Sequence, residues 1–324
     1  MASILAGYIS GSSVNFARIV EQKGDGVRLI GRQTYSCADF SNFDSILNLY
    51  LRKSRAKFSI ACFGVAGPVI NQSVETTNLP WRLTAADLKS DFGFQSVKLV
   101  NDLVATAHGL SCLQPRHFFT LNKGDDSADG NLGLISAGTG LGEALIYANG
   151  GKLTPVASEG GHGDFAPGNQ LEVELYQYLY SELGQVEVED IVSRRGLQNI
   201  FNFLVDTQGG KHGAWVDKAD DIPGAIVEKA LAGKDRTASR TLDIFIDCFA
   251  SEAANLTLKS MAIGGLYVGG VIAPRIVTAM DSGRFMKRFI KKGKMESLLT
   301  STPVRVIIYE QTALRGAAAI GMTL

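Results

Sequence analysis

The sequence predicts a two-domain α/β protein, and three observations carry that expectation. At roughly 150 residues per domain, 324 residues favour two domains, each large enough to bury a real core. Short β-type runs alternate with stretches of helical spacing along most of the chain. After Pro115 the strand pattern of the opening begins again, so a second domain starts near residue 110. Apolar residues at 45% and charged residues at 20% exclude a disordered or fibrous chain. Thirty-two basic and 32 acidic residues cancel, which leaves no broad positive field to collect nucleic acid or an anionic membrane. A small neutral or locally neutralised ligand suits this balance. The stretch from Met1 to Ser10 has neither a basic region nor a cleavage site, and no apolar run approaches the ~18–20 residues that span a bilayer. The chain is therefore expected in the cytoplasm. Cys37, Cys62, Cys112 and Cys248 lie far apart without C-x-x-C spacing and are expected as buried, reduced thiols.

The chain opens with three β-type runs, Ser3 to Ile9, Val14 to Val20 and Val27 to Tyr35, separated by Ser/Gly residues and by Lys23-Gly24-Asp25-Gly26. That is the pattern of an antiparallel meander. Phe43, Ile46, Leu47, Tyr50 and Leu51 recur at helical spacing, and Phe58 to Val65 is a short apolar run suited to a buried strand. Thr84 with Asp87 has the form of a helix start. Val97 to Val100 is a buried strand that ends on Asn101-Asp102, at the kind of sheet edge where α/β proteins hold ligands. Beyond Pro115, Phe118 to Leu121, Leu132 to Ser136, Glu143 to Tyr147 and Gly151 to Val156 read as a second group of strands, and the two openings hint at duplicated halves. Helices follow around Leu171–Leu179 with Gly184 as a stop, Leu197–Val205 and Thr237–Lys259. The strand Leu266 to Val268 ends in Gly269-Gly270. After it come a basic helix at Phe285–Ile290, a strand from Val304 to Tyr309 and a small-residue helix from Ala313 to Met322.

Ala137-Gly138-Thr139-Gly140-Leu141-Gly142 is the sharpest local signal among 36 glycines, a content above the usual ~7%. Three glycines let the backbone approach an anion and Thr139 adds a hydroxyl, although a tight hairpin would use the same residues. A dinucleotide fingerprint is excluded, because the spacing is wrong and a strand follows where that fingerprint needs a helix. Asp91-Phe92-Gly93 lacks the other protein-kinase signatures and reads as a helix end. Neither a P-loop nor an H-E-x-x-H helix is present. Asp102, between a buried strand and a helical run, reads either as an N-cap or as a positioned base. The loop Ser158-Glu159-Gly160-Gly161-His162-Gly163-Asp164-Phe165 sets carboxylates and an imidazole among glycines. Those groups suit the hydroxyls of a polyol, and a purely structural loop is the alternative. Their spacing matches no familiar zinc pattern.

Taken together and in order, these segments resemble the bacterial glucokinase family, within the actin-like ATPase and sugar kinase superfamily. The resemblance rests on Leu99-Val100-Asn101-Asp102, Ala137 to Gly142, Glu159-Gly160-Gly161-His162 with Asp164-Phe165-Ala166-Pro167, and Val268-Gly269-Gly270 with Ala273-Pro274-Arg275, and it covers nearly the whole chain. It implies a two-domain α/β fold of the actin-like ATPase (ribonuclease H-like) type with an interdomain cleft, residues 1–110 with 302–324 forming the small domain and 111–301 the large one. It implies ATP-dependent phosphorylation of glucose, or a related hexose, at the 6-hydroxyl, with Mg²⁺ attending the nucleotide. Asp102 is then the general base, and Asn101, Glu159, His162 and Glu189 hold the other hydroxyls. Gly138, Thr139, Gly140 and Gly142 would cradle phosphates with Gly11 and Ser12 of the first phosphate segment, and Gly269 and Gly270 would pack near adenosine. No cysteine follows the E-G-x-x-H motif until Cys248, so the chain resembles the zinc-free branch, as a monomer or a homodimer.

Two departures from the family pattern stand out. Where the first phosphate segment reads D-I-G-G-T-N or similar, this chain has Tyr8-Ile9-Ser10-Gly11-Ser12-Ser13. A phenol with an ordinary pKa of ~10 is a poor substitute for a magnesium-organising carboxylate, so slowed catalysis is expected. A sugar-binding regulatory protein with lost catalysis is the alternative. The second departure is Ser193-Arg194-Arg195-Gly196 in place of S-G-P-G, two guanidinium groups that would recruit an anion or alter the sugar pocket.

Overall fold

The computed structural model describes residues 4–21, 27–76 and 79–324. The expected turn at Lys23–Gly26 and the first residue of the strand expected from Ser3 lie outside the described residues. The chain divides into two compact units, one comprising Met1–His117, Pro155–Ala157 and Tyr309–Leu324, the other Phe118–Thr154 and Ser158–Ile308.

The first unit begins with β1 (Ile4–Ile9), β2 (Ser13–Glu21) and β3 (Val27–Ser36), followed by α1 (Phe43–Ser54), β4 (Ile60–Val65), a short pair β5 (Ser73–Glu75) and β6 (Arg82–Thr84), α2 (Ala85–Phe92), β7 (Ser96–Asn101) and α3 (Asp102–Leu110). Its sheet runs β3-β2-β1-β4-β7. The first three strands form the expected antiparallel meander, and β4 and β7 add in parallel. Residues 43, 46, 47 and 50 of α1 are buried, one stripe of a 3.6-residue helix. The Phe16 ring meets Phe43, Tyr50 and Phe63 within this core. Thr84 accepts from the Asp87 N–H, and Gly93 ends α2 in the left-handed region, as their residue types suggest.

The second unit contains β8 (Phe118–Asn122), β9 (Leu132–Ala137), β10 (Leu141–Asn149), β11 (Lys152–Ser158, apart from 155–157), α4 (Gln170–Leu183), α5 (Arg194–Thr207), α6 (Ile222–Leu231), α7 (Arg236–Ser260), β12 (Gly265–Gly269), α8 (Val277–Met280), α9 (Arg284–Phe289), α10 (Glu296–Ser301) and β13 (Val304–Ile307). The chain then closes with α11 (Thr312–Gly321), which packs on α3 in the first unit. The second sheet runs β11-β10-β9-β12-β13-β8. Its first five strands repeat the order of the first sheet, with β9, β12 and β13 parallel as β1, β4 and β7 are. The hint of duplicated halves is thus realised in topology. Against expectation, β8 does not open the second meander: it lies at the far edge, antiparallel to β13. That pairing draws residues 302–308 into the second unit, whose main stretch runs from 118 to 308 with 155–157 counted in the first. Helix α6 has no counterpart among the elements expected from the sequence: Pro223 and Gly224 interrupt its pattern, although Asp221 caps it and Pro in a first turn is favourable. Among the described residues no helix is long and apolar enough to cross a membrane.

Candidate active site

In the first unit, β7 delivers Asn101 and Asp102 to the N-terminus of α3. Asn101 is the cap: its Oδ1 accepts from Leu103 N at 2.9 Å and Val104 N at 3.2 Å, while its Nδ2 donates to Gly67 O at 3.2 Å. Capping, one of two roles open to Asp102 in the sequence, thus falls to its neighbour. Asp102 Oδ1 accepts from Leu103 N at 2.9 Å, which orients the carboxylate where the helix dipole favours negative charge. Tyr8 lies across the sheet, in register with Gly64, which is itself in register with Val100. A Cβ on Gly64 would stand 2.8 Å from Ala105 Cβ, so the bare glycine lets α3 pack closely on β4, with Tyr8 Cδ2 and Asp102 Cα at ordinary contact distance from the same point. Burial, and then the Asp102 charge, push the Tyr8 hydroxyl well above its ordinary pKa. The residue is a neutral phenol, as the sequence implied.

The turn between β1 and β2 holds Gly11 and Ser12. Ser10 N donates to Ser13 O at 2.9 Å, and the Ser10 hydroxyl accepts from Ser12 N at 3.4 Å and Ser13 N at 3.1 Å. The turn thereby satisfies the N–H groups of Ser10, Ser12 and Ser13 from within.

In the second unit the equivalent turn, between β9 and β10, is Gly138-Thr139-Gly140, with Gly138 N donating to Gly140 O at 2.8 Å. Among the described residues the N–H groups of Thr139 and Gly140 donate to no protein acceptor. Gly142 lies just inside β10, opposite Ser136. Arg194 N donates to Gly138 O at 2.9 Å and Ile272 N to Ala137 O at 3.2 Å, which ties the start of α5 and the segment after β12 to this turn. Gly270, at φ +89°, is required there, since a Cβ would collide with the Ala137 carbonyl. Gly269 ends β12 in register with Ser136. Glu189 also serves the turn, its Oε2 accepting from Leu141 N at 2.8 Å while its carboxyl group fills the space beside Gly140.

Glu159-Gly160-Gly161-His162 forms a single tight turn after β11, with Glu159 and His162 exposed. His162 Nδ1 lies 2.8 Å from Glu187 Oε2, and this bond raises the imidazole pKa above its ordinary value. Glu187 was not singled out in the sequence. It reaches His162 because Phe165 N donates to Val186 O and Val188 N to Gly163 O, contacts that bring together segments separated by α4. Asp190, buried, accepts from Glu187 N at 2.9 Å and pairs with Arg195 at 2.6 Å, while Arg195 stands 3.9 Å from Glu189. Arg194 pairs with Asp221. Both arginines of the second departure therefore engage protein carboxylates, and Arg195 acts on the glutamate cluster itself. Among the described residues no three His, Cys, Asp or Glu side chains gather to hold a metal ion, and all four cysteines are unpaired.

The family model described as Glucokinase matches residues 5–324. The glucokinase of Nostoc punctiforme is 34% identical over 335 residues, covering 98% of each chain, and that of Saccharophagus degradans is 33% identical, covering 96% of this chain and 95% of its own. Among solved structures, the glucokinase of an Antarctic psychrotroph superposes with a TM-score of 0.84 at 28% identity over the full length of both chains. The Balamuthia mandrillaris glucokinase in complex with glucose gives 0.86 at 20% identity, covering 99% of this chain and 94% of that one. The fold is the expected two-domain α/β fold of the actin-like ATPases.

Proposed function

The chain belongs to the glucokinase family, and on that premise we propose that it transfers the γ-phosphoryl group of ATP to the 6-hydroxyl of glucose. Asp102 takes the O6 proton as that oxygen attacks phosphorus in line, a role worth ~10²–10⁴-fold in rate. The observation that supports this best is the start of α3, where Asn101 carries the cap and the Leu103 N–H orients Asp102. Glu159 and Glu189 accept from sugar hydroxyls, His162 donates or accepts according to the proton it shares with Glu187, and Asn101 keeps one Nδ2 hydrogen for the sugar.

The residues of the second glycine turn fit a nucleotide's phosphates. The Thr139 and Gly140 N–H groups lack protein acceptors, and such fixed donors stabilise the charge spread over a transferring phosphoryl group. Gly142 continues that turn into β10, Gly269 and Gly270 lie beside it for adenosine, and Gly11 and Ser12 form the smaller contact from the first turn. ATP, when bound, supplies the phosphoryl group. The fit to a protein-held magnesium ion is poorer: Tyr8 offers no carboxylate at the end of β1. An ion carried by the phosphates and water is the form these residues admit, and no step here depends on a protein ligand to it.

A coupled assay for glucose 6-phosphate with purified protein tests this reading. Turnover that requires both glucose and ATP is expected, below the ~10 s⁻¹ typical of enzymes because of Tyr8 and Ser10. Glucose binding without product at any ATP concentration would put a sugar-binding regulatory protein in place of the kinase.

A further inference from the structure

Glu143 is a carboxyl group on an otherwise apolar strand face. It shares its face of β10 with Leu141 and Leu145, both of which pack in the large core, and it is only 3% exposed. Its Oε1 is buried with no hydrogen-bond partner. Across from it on α7 stands Glu252, itself 6% exposed and within side-chain hydrogen-bonding reach. Glu252 already accepts from Asn255 Nδ2 at 2.8 Å and from Lys259 Nζ at 3.5 Å. Two ionised carboxylates have no donor between them, so the orphaned oxygen is satisfied only if one proton is present. Burial first, and then the Glu252 charge, push the Glu143 carboxyl up to about 7, with Lys259 pulling the other way. β9 sets Ile135 opposite Glu143 in register, the turn above brings Gly160 with the Ser158 hydroxyl, and on the Glu252 side Lys292 donates to Asn255 Oδ1 at 2.7 Å, its pKa lowered chiefly by burial.

That turn is the one that carries Glu159 and His162. Gly160 rests directly on Glu143, where a Cβ would collide with Oε2, and Gly161 rests in the same way on the Leu141 carbonyl. We propose that Glu143 is a positioning residue for glucose binding: it holds a proton shared with Glu252, and in that form its carboxyl group is the floor that fixes the Gly160 turn and thereby aims Glu159 and His162. This rests on the glucose reading of that turn. Loss of the proton leaves two carboxylates face to face out of water, a repulsion relieved when Glu143 swings towards Gly160 or the turn lifts to admit water. Either movement displaces the sugar-binding side chains.

The test compares wild type with Glu143→Gln, whose amide donates permanently to Glu252. Glucose affinity is measured by calorimetry at about pH 6 and about pH 8.5, and the infrared band of a protonated carboxyl group is recorded at both. Wild type should bind glucose ~3–10-fold more weakly at the higher pH, with the band present at the lower pH and lost at the higher. Glu143→Gln should lack the band and bind equally tightly at both, apart from any dependence that His162 gives to both proteins. If Glu143→Gln does not fold, Glu252→Gln serves instead: its amide satisfies an ionised Glu143 and should likewise flatten the profile. Superimposable profiles, or no carboxyl band in wild type at the lower pH, would overturn the proposal. A wild type that binds no glucose at either pH refutes the assigned substrate instead, and the infrared comparison still decides whether Glu143 holds the proton.

Discussion

The turn after β1 and the turn after β9 occupy the same position in two sheets of the same strand order, yet they are satisfied differently. In the first, the Ser10 hydroxyl accepts from two of the turn's own N–H groups. In the second, among the described residues no side chain accepts from the N–H groups of Gly138, Thr139 or Gly140, the Thr139 hydroxyl included, and those of the last two lack any protein acceptor. An anion approaching the first turn must displace a hydroxyl already in place, whereas the second presents donors with nothing to displace. The duplicated scaffold therefore carries one turn largely closed by its own hydroxyl and one open turn. The neighbouring carboxylates differ as well: Glu189 braces the open turn through Leu141 N, while the strand leading into the closed turn carries Tyr8, a neutral phenol beside Asp102.

The largest effect on folding should come from Gly270→Ala, which forces a left-handed backbone on alanine and drives its Cβ into the Ala137 carbonyl beside the open turn. A loss of about 2–4 kcal/mol in denaturant unfolding is expected, together with lost ATP affinity. Unchanged unfolding would mean that β12 does not brace that turn. The next effect sharpens the contrast from the other side. Tyr8→Asp with Ser10→Gly should open the first turn and raise kcat about tenfold, equivalent to ~1.4 kcal/mol of transition-state stabilisation. Ser10→Gly alone should tighten ATP binding by a smaller factor, since only the competing hydroxyl is removed. A wild type that already turns over at ordinary kinase rates, with no gain in the double variant, breaks the comparison.

Much of this contrast was legible in the sequence. The glycine turn, the Asn101-Asp102 strand end and Tyr8 in place of a carboxylate are all local patterns, and local patterns survive without coordinates. What escaped was set by partners distant in the chain. Nothing near Glu187 points to His162, because the contact is made by a bridge across the length of α4. The edge position of β8 depends on pairing with β13, nearly the whole second unit away. The arginines of residues 194 and 195 suggested an anion site, and only the fold shows Asp221 and Asp190 already paired with them. Even the capping of α3 was open to two readings, because adjacent Asn and Asp are both good caps.

The smallest effect concerns the His162–Glu187 pair, which is partly exposed and therefore screened. Its bond raises the folded-state pKa of His162 above the unfolded value, so its contribution is complete below the ordinary histidine range and is lost as pH rises through the folded value. Glu187→Gln should cost under about 0.5 kcal/mol at about pH 6 and nothing measurable at about pH 8.5. A cost that grows with pH would reverse the assigned sign.

Asp102→Asn, examined for turnover and glucose binding in the same preparation, tests the central claim most directly. The amide still hydrogen-bonds a hydroxyl but takes no proton, so kcat for glucose 6-phosphate should fall by ~10²–10⁴-fold while the glucose Kd, measured by calorimetry, stays within about threefold of wild type. A fall in kcat of less than about tenfold would contradict the account, because the proton would then be leaving O6 by another route.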